Sequence, residues 1–224
     1  MTDKDLTRLS ETQRIRIQLR HKASIERFGY QPQALFWTDR DVQKQRFEVL
    51  TKLIPHIEKP NHQAWSILDV GCGFADFYAY LRLAGYHINY SGVDISPDMI
   101  YSARCLHPEI QLFEGELADQ QFDNESFDFV FLSGALNEVV DETGAYAKSV
   151  IRDMYRIARL GVGFNLLNKH NPWIQSRPDL QSFYPASIAA FCERFAYKVD
   201  WRSDYLPNDF SVFLTKKRDA EACV

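Results

Sequence analysis

The part of the chain best suited to chemistry is a glycine loop between two carboxylates. In the run SILDVGCGFADF, an apolar segment ends at Asp69 and continues through Gly71 and Gly73 to Asp76. Bare backbone at the end of a first strand lets a ligand approach closely in open α/β sheets. A dinucleotide loop would carry glycine at position 76, because a carboxylate there repels a pyrophosphate. The loop therefore favours an adenosine-type ligand that carries a cationic group.

A third carboxylate supports an adenosine ligand. Asp94 ends the run HINYSGVD and follows Gly73 at close to the roughly 20-residue offset at which an acid meets ribose hydroxyls. The next residues, Ser96 and Pro97, are typical of a helix start. Ile95 and Met99 either flank an adenine ring or belong to the ordinary core.

The elements that would position these residues alternate along the chain. From Trp65 onward, short β-rich runs are separated by helical ones, which predicts right-handed crossovers and a mostly parallel sheet. The last two predicted strands, YKVDWRSD and DFSVFLTKK, are joined only by YLPN, so they should form an antiparallel hairpin at one edge. The predicted fold is α/β, a Rossmann-like doubly wound sheet with N-terminal helices.

The N-terminal region has a different pattern. Ser10 to Phe28 and Asp39 to Ile57 carry apolar residues at helical spacing, and FGYQPQALFW interrupts them with glycine and proline. We expect residues 1–64 to form a helical cap, residues 65–217 the core, and residues 218–224 a tail. The cap segment Thr12 to Phe47 and the later segment Asn168 to Pro185 should roof a cleft at the strand ends.

Composition limits the partners. A chain of 224 residues that is 46% hydrophobic fits one domain, and its net charge of −4 offers no broad basic field to nucleic acid or an anionic membrane. The start lacks an apolar leader, and no run approaches the roughly 18 apolar residues of a membrane span. We expect a cytoplasmic protein. Its oligomeric state is left open.

The cysteines predict neither disulfides nor metal. They are scattered, without the paired spacing of a zinc site, and no carboxylate cage is evident. Reduced thiols and no required metal ion are expected for all of them: Cys72, Cys105, Cys192 and Cys223.

Four motifs in order resemble those of the class I S-adenosylmethionine-dependent methyltransferases, in their small-molecule branch. They are ILDVGCGFAD, YSGVDISPDMI, FEGEL and FDFVFLSGALNEV, and the similarity extends from Trp65 to about Lys217. The resemblance implies S-adenosylmethionine as cofactor. The sequence departs from the family at Ala75, where a third glycine is usual, and a methyl group fits there if residue 75 already has helical dihedrals.

The resemblance also implies roles for particular residues. Asp69 and the glycine loop would lie along the methionine part, Asp94 would hold the ribose, and Glu116 with Leu117 would border the adenine. The backbone of Ser133 and Gly134 would face the donor ammonium, and Arg46 would either reach the donor carboxylate or lie on a solvated helix face. The full predicted donor set is Trp37, Arg46, Asp69, Gly71, Cys72, Gly73, Asp94, Ile95, Met99, Glu116, Leu117, Ser133 and Gly134.

No catalytic residue is identified by the sequence. Methyl transfer from a sulfonium needs alignment and exclusion of water, and a base only when the acceptor carries a proton. The candidates lie in strand-end loops: Glu138 with its neighbour Asn137, His170, Tyr205 and Asp209. His170 is equally well explained as an ordinary loop histidine, and DYLPNDF as turn chemistry.

The motifs favour a small-molecule acceptor. The fourth strand ends in SGALNEV, without the Asn/Asp-Pro-Pro-aromatic signature of enzymes that methylate DNA amino groups, and the Pro-Cys nucleophile of cytosine-C5 enzymes is absent. Two alternatives stay open: a NAD-dependent Rossmann oxidoreductase, which Asp76 disfavours, and a partner protein that binds S-adenosylmethionine without catalysis.

Overall fold

An α/β sheet flanked by helices forms the body of the protein. The computed structural model describes residues 7–37, 39–55, 59 and 62–217. In this part of the chain the strands are β1 Trp65–Val70, β2 Ile88–Asp94, β3 Gln111–Glu114, β4 Phe127–Ser133, β5 Ala158–Asn168, β6 Ser182–Phe183, β7 Lys198–Arg202 and β8 Asp209–Thr215. The helices are α1 Glu11–Phe28, α2 Arg40–Leu50, α3 Asp76–Leu83, α4 Pro97–Leu106, α5 Ala145–Ile157, α6 Pro172–Gln175 and α7 Pro185–Cys192.

The strand order confirms the predicted fold class. The strands lie in the order β3-β2-β1-β4-β5-β8-β7, with β6 beside β5, and all pairs up to β5 and β6 are parallel. The last two strands form the expected antiparallel hairpin, with β8 against β5 and β7 at the edge. Chain order reverses between β1 and β4, so a crevice opens outside their carboxyl ends, where such sheets bind ligands.

Helix starts follow from local capping. The hydroxyl of Ser10 accepts from the backbone N–H of Gln13, whose side chain in turn accepts from the backbone of Ser10. Asp39 caps α2 by accepting from Val42 at 2.8 Å. The second N-terminal helix is shorter than predicted, because a 3₁₀ turn follows Leu50; its predicted end at Ile57 lies outside the described residues.

The sheet has an apolar cluster on each face. Alternate residues of a strand point to opposite faces, so Leu68 and Ile67 of β1 enter different clusters. One cluster packs α5 and α7 against the sheet, and the other packs α2 and α3. Among the described helices none is long and apolar enough to cross a membrane. Cys72, Cys105 and Cys192 are free thiols, and Cys223 lies outside the described residues.

A buried ion pair ties α2 to the sheet. Arg46 donates from Nε and Nη2 to the two carboxylate oxygens of Asp209, at 2.5 and 2.6 Å, and both side chains are at most 5% exposed. The guanidinium also lies 4.0 Å from the centre of the Trp37 ring. The pair thus fixes the helical cap to the first residue of β8.

Removing Asp209 should strongly destabilise the protein. Asp209→Ala leaves the Arg46 charge buried without a partner, so we expect the free energy of unfolding to fall by about 3–5 kcal/mol in urea titrations. The matched control is Asp200→Ala in the exposed Lys198–Asp200 pair, which should cost less than about 1 kcal/mol. Equal effects of the two variants would show that the buried pair does not hold α2 in place.

Candidate active site

A cavity of about 300 Å³ lies at the carboxyl ends of the central strands. Its roof is formed by residues 9–37, here called the N-terminal roof, together with the start of α2 and the segment around α6. Every residue of the donor set predicted from the sequence lines this cavity: Trp37, Arg46, Asp69, Gly71, Cys72, Gly73, Asp94, Ile95, Met99, Glu116, Leu117, Ser133 and Gly134. The structure therefore brings the predicted set together, and its role in donor binding remains a prediction.

The glycine loop has the backbone conformation that its sequence suggested, with one exception. Gly71 and Gly73 have φ values of 72° and 53°, which glycine adopts without cost. Ala75 also lies in the left-handed region, with φ 61° and ψ 33°, so the condition of right-handed helical dihedrals under which a methyl group would fit without strain is not met. The conformation costs an alanine about 1 kcal/mol. Its fully buried methyl group packs into the apolar cluster beneath α3, and this contact offsets part of the cost.

Asp94 is held by the backbone on both sides. One carboxylate oxygen accepts from the N–H of Gly73 at 2.9 Å, and the other accepts from the N–H of Ser96 at 2.9 Å. Each oxygen keeps a further lone pair, because an ionised carboxylate has about four acceptor positions. The buried carboxylate is thus fixed in the cavity wall and can still accept two hydroxyl donors.

Asp69 has an unusual protonation equilibrium. The pKa of its carboxyl is raised to about 7: burial is the main cause, a hydrogen bond from Tyr90 acts in the opposite direction, and the nearby charges of Asp94 and Asp76 add to the increase. The Tyr90 hydroxyl donates to the carboxylate at 2.5 Å. A positively charged ligand in the cavity would favour ionisation of Asp69 and release its proton.

The N-terminal roof reaches across the cavity to the third acid. The buried carboxylate of Glu116 accepts from Arg14 at 2.6 Å and from the backbone N–H of Leu9 at 3.2 Å. One turn further along α1, Gln18 donates to the carbonyl oxygen of Ile95 at 2.9 Å. These contacts could not be predicted from the sequence, since Arg14 and Gln18 look like ordinary polar positions of an amphipathic helix.

Two glycines allow the roof to pack directly on the strand-end loops. A Cβ atom at Gly73 would lie 2.7 Å from the Leu35 side chain, and one at Gly134 would lie 2.7 Å from the Trp37 ring. Both glycines also have positive φ values. The close contact between roof and loops, together with the ligand approach, explains why these positions carry no side chain.

Two polar residues of α2 lie beside the loop. Gln43 is buried and donates to Asp76 at 2.8 Å, so this carboxylate has a protein partner at the start of α3. Arg46 lines the cavity, but its Nε and Nη2 are bonded to Asp209. These bonds anchor the Arg46 guanidinium to the sheet. If Arg46 contacts a donor carboxylate as predicted, it must do so while it remains bonded to Asp209.

The catalytic candidates separate into two groups. Glu138 and its neighbour Asn137 line the cavity, and Glu138 is paired with Arg16 and Arg20 of α1 at 3.0 and 3.1 Å.

The other three candidates do not line the cavity. His170 packs against the ring of Tyr184, the hydroxyl of Tyr205 bonds that of Ser211 at 2.8 Å, and Asp209 holds Arg46. Tertiary partners that the sequence does not reveal account for their positions.

His21 is a cavity residue that the sequence did not suggest. It lines the cavity from α1, and its Nδ1 is buried without a hydrogen-bond partner. Burial lowers the pKa of its imidazole, although the carboxylates of Asp94 and Glu138 act in the opposite direction. The ring is therefore neutral at neutral pH. Helical spacing alone gave no means of telling His21 from other polar residues of α1.

A family comparison agrees with the fold and the cavity. Residues 68–163 match the family described as the methyltransferase domain. Together with the reversal at β1 and β4 and the carboxylates at the strand ends, this match identifies the domain as a class I S-adenosylmethionine-dependent methyltransferase domain. The class is defined by its donor, so the cofactor of this domain is S-adenosylmethionine.

Similar proteins span most of the chain. A Mycobacterium tuberculosis protein provisionally named a methyltransferase is 27% identical over 157 residues, which are 68% of this chain and 93% of that relative. The magnesium protoporphyrin IX methyltransferase of Synechocystis, solved with bound S-adenosylhomocysteine, shares 15% identity at a TM-score of 0.55, over 78% of this chain and 83% of its own. The [4+2]-cyclase SpnF shares 13% identity at a TM-score of 0.56, over 76% and 80%. The two structural likenesses show the fold alone.

Donor binding should be coupled to ionisation of Asp69. Because a carboxyl with a pKa of about 7 is mostly protonated below pH 7, a cationic donor must displace the proton there. We expect affinity for S-adenosylmethionine to be about tenfold weaker at pH 6 than at pH 8. Calorimetry at pH 6 in buffers of different ionisation enthalpy should detect release of nearly one proton.

The matching control removes the titrating group. Asp69→Asn should abolish most of the proton release, whereas Asp200→Asn at an exposed position should leave it unchanged. Donor binding by the wild-type protein without proton release at pH 6 would contradict the assignment of Asp69.

Proposed function

We propose that the chain is an enzyme that transfers a methyl group from S-adenosylmethionine to a small-molecule acceptor. The observation that carries this proposal is the cavity itself, in which the buried carboxylates Asp69, Asp94 and Glu116 lie under a roof that encloses them. Such a site suits an adenosine with a positively charged side arm. Enclosure also suits methyl transfer, because water is excluded from the donor.

The roles of the chain's own residues follow from their contacts. S-adenosylmethionine supplies an activated methyl group on a sulfonium. Asp94, fixed by two backbone N–H groups, would accept the ribose hydroxyls, and Glu116 with the Leu117 backbone would border the adenine. Asp69 and the bare loop at Gly71 would lie along the methionine arm. Their common contribution is to orient the donor and to favour its positive charge.

The part of the cavity not assigned to the donor is small and of mixed polarity. Asn137, Gln181 and Asn208 offer amides, and Trp173 and Ile174 of α6 offer apolar surface. Asn137 has a buried Oδ1 with no hydrogen-bond partner. A small acceptor that carries a hydrogen-bond donor would satisfy this oxygen, whereas a macromolecular segment would have to displace the roof.

His21 is the residue we propose as proton acceptor. Its neutral ring presents an unpartnered buried Nδ1, and it lies near the carboxylates Asp94, Glu138 and Asp98, with Arg20 as the nearby cation. The carboxylates would stabilise the imidazolium formed when an acceptor hydroxyl or ammonium loses its proton. This role applies only to acceptors that carry such a proton.

The two alternatives receive different support. A NAD-dependent oxidoreductase would place a pyrophosphate beside Asp76, whose carboxylate is already bonded to Gln43 at the start of α3. The domain family does not favour that reading. A protein that binds the donor without methyl transfer remains the competing proposal, and turnover decides between it and the enzyme.

Asp94 should carry more donor affinity than any other acidic side chain. Charge-assisted hydrogen bonds to two hydroxyls contribute roughly 1.5–3 kcal/mol each, so Asp94→Ala should weaken S-adenosylmethionine at least about tenfold in calorimetry. Asp94→Asn should lose less. Unchanged affinity in a folded Asp94→Ala protein would contradict the adenosine placement.

Turnover tests the enzymatic proposal directly. The protein is incubated with S-adenosylmethionine and a panel of small hydroxyl, amine, thiol and carbon acids, and S-adenosylhomocysteine is measured by mass spectrometry. We expect acceptor-dependent product, reduced in proportion to donor occupancy in Asp94→Ala. Donor binding without product for any acceptor, at saturating donor, would favour the non-catalytic alternative.

The pH dependence of kcat should reflect the protonation of His21. With the donor saturating, Asp69 is already ionised, so an acid limb below about pH 6.5 belongs to the base that acts in the complex. His21→Asn should lower kcat by about 10²-fold or more and remove this limb. A variant that keeps the acid limb would exclude His21 as the proton acceptor.

A further inference from the structure

A second concavity lies outside the donor cavity. It is an open groove of about 460 Å³ between the start of α5 and the helix α7. The charged residues that line it are Lys148, Lys169 and Arg194, against the single carboxylate of Glu142. The chain as a whole carries a net charge of −4, so this excess of cations is not explained by composition.

The cations of the groove are not neutralised by ion pairs. Lys148 donates from Nζ to the carbonyl oxygen of Thr143 at 3.1 Å, and the Lys169 ammonium lies 5.5 Å from the centre of the Tyr184 ring. Both partners are neutral. In the described part of the chain, no salt bridge involves these lysines or Arg194. Their positive charge is therefore available to a ligand.

Neutral donors add to the positive potential. The first turn of α7 has no acidic residue, and no side chain caps its start at Tyr184. The positive end of this helix borders the groove, since Tyr184 and Ser187 both line it. The hydroxyls of Ser182 and Ser187 are further potential donors. Ammonium groups, a guanidinium and hydroxyls together form a set that recognises oxyanions.

The groove and the donor cavity share a wall. Gln181 lines both of them. Phe183 lines the groove and Gly144 lines the donor cavity, and a Cβ atom at Gly144 would lie 2.5 Å from the Phe183 ring. One elongated small molecule that passes Gln181 would enter both concavities.

We propose that this groove binds the anionic end of the methyl acceptor, a phosphate ester or a carboxylate, while the reacting end lies in the donor cavity. The identity of the ligand as the methyl acceptor rests on the proposed function; binding of the oxyanion does not. The proposed acceptors are therefore small molecules that carry an oxyanion at some distance from the methylated atom. Lys169 and Arg194 are the specificity residues of this site.

Phenyl phosphate and benzoate are suitable probes, because they carry the two oxyanions on the same ring. Their binding is measured by calorimetry at constant ionic strength in three proteins: the wild type, the double variant Lys169→Ala with Arg194→Ala, and the control Lys198→Ala. Lys198 is an exposed lysine on β7 that is paired with Asp200, so the control removes one positive charge without touching the groove. S-adenosylmethionine affinity is measured on the same samples as a check of the fold.

The expected result is that the double variant binds the preferred probe at least about fivefold more weakly, while the control and all donor affinities are unchanged. Preference for phenyl phosphate assigns a phosphate ester, and preference for benzoate assigns a carboxylate. Equal probe affinity in the double variant and the wild type, or no binding by the wild type, overturns the proposal. If the double variant does not fold, Arg194→Gln alone is compared with the control.

Failure of the oxyanion site and failure of the proposed function can be told apart by experiment. Wild-type protein that binds phenyl phosphate but not S-adenosylmethionine would leave the oxyanion site in place and refute the methyltransferase. Wild-type protein that binds S-adenosylmethionine and neither probe would leave the proposed methyltransferase in place and refute the oxyanion site.

Discussion

The structure depends on the burial of several carboxylates in one small space. Asp69, Asp94 and Glu116 end successive strands or follow them, and all three are less than 7% exposed. Parallel strands bring their carboxyl ends to the same edge, so like charges converge there. Buried charges of one sign need protons, hydrogen bonds or opposite charges. The residues around the three carboxylates supply these protons, hydrogen bonds and charges.

Each acid is stabilised in a different way, and the differences define the site. Asp94 takes two backbone N–H groups from the loop and the helix start, which fixes it as an acceptor. Glu116 takes an arginine from the roof. Asp69 has only Tyr90 and a pKa raised to about 7. It is therefore the acid whose ionisation a nearby positive charge would favour most.

The position of the N-terminal roof is also explained by the need to stabilise the buried carboxylates. Arg14 and the backbone of Leu9 satisfy Glu116, and Gln43 satisfies Asp76, so residues far from the strands in sequence are drawn over their ends. Glycine at positions 73 and 134 lets Leu35 and Trp37 pack without a gap. The Arg46–Asp209 pair then fixes α2, which follows the roof in the chain, to β8 on the other side of the crevice.

The sequence predicted the sheet and the strand-end residues, because both depend on local patterns. Alternating strands and helices gave the doubly wound order, the short YLPN connection gave the edge hairpin, and the glycine loop with Asp94 gave the residues that meet in the cavity. Contacts made across long sequence separations were not predictable.

Four particular residues show this limit. His21 and Arg14 lie on a helix whose polar residues all look alike, and only packing across the cavity distinguishes them. Asp209 appeared to be a turn residue near the acceptor, but a buried arginine takes up its carboxylate. Ala75 has left-handed dihedrals, which an alanine at this position did not indicate.

A crystal structure with bound S-adenosylhomocysteine tests the central claim most directly. The account predicts the adenosine under α1, with both ribose hydroxyls within about 3.2 Å of the Asp94 carboxylate, the adenine beside Glu116 and Leu117, and the Arg14–Glu116 pair intact. An adenosine bound elsewhere, or one that enters only after α1 has left Glu116, would contradict the claim that the buried carboxylates and their roof form the donor site.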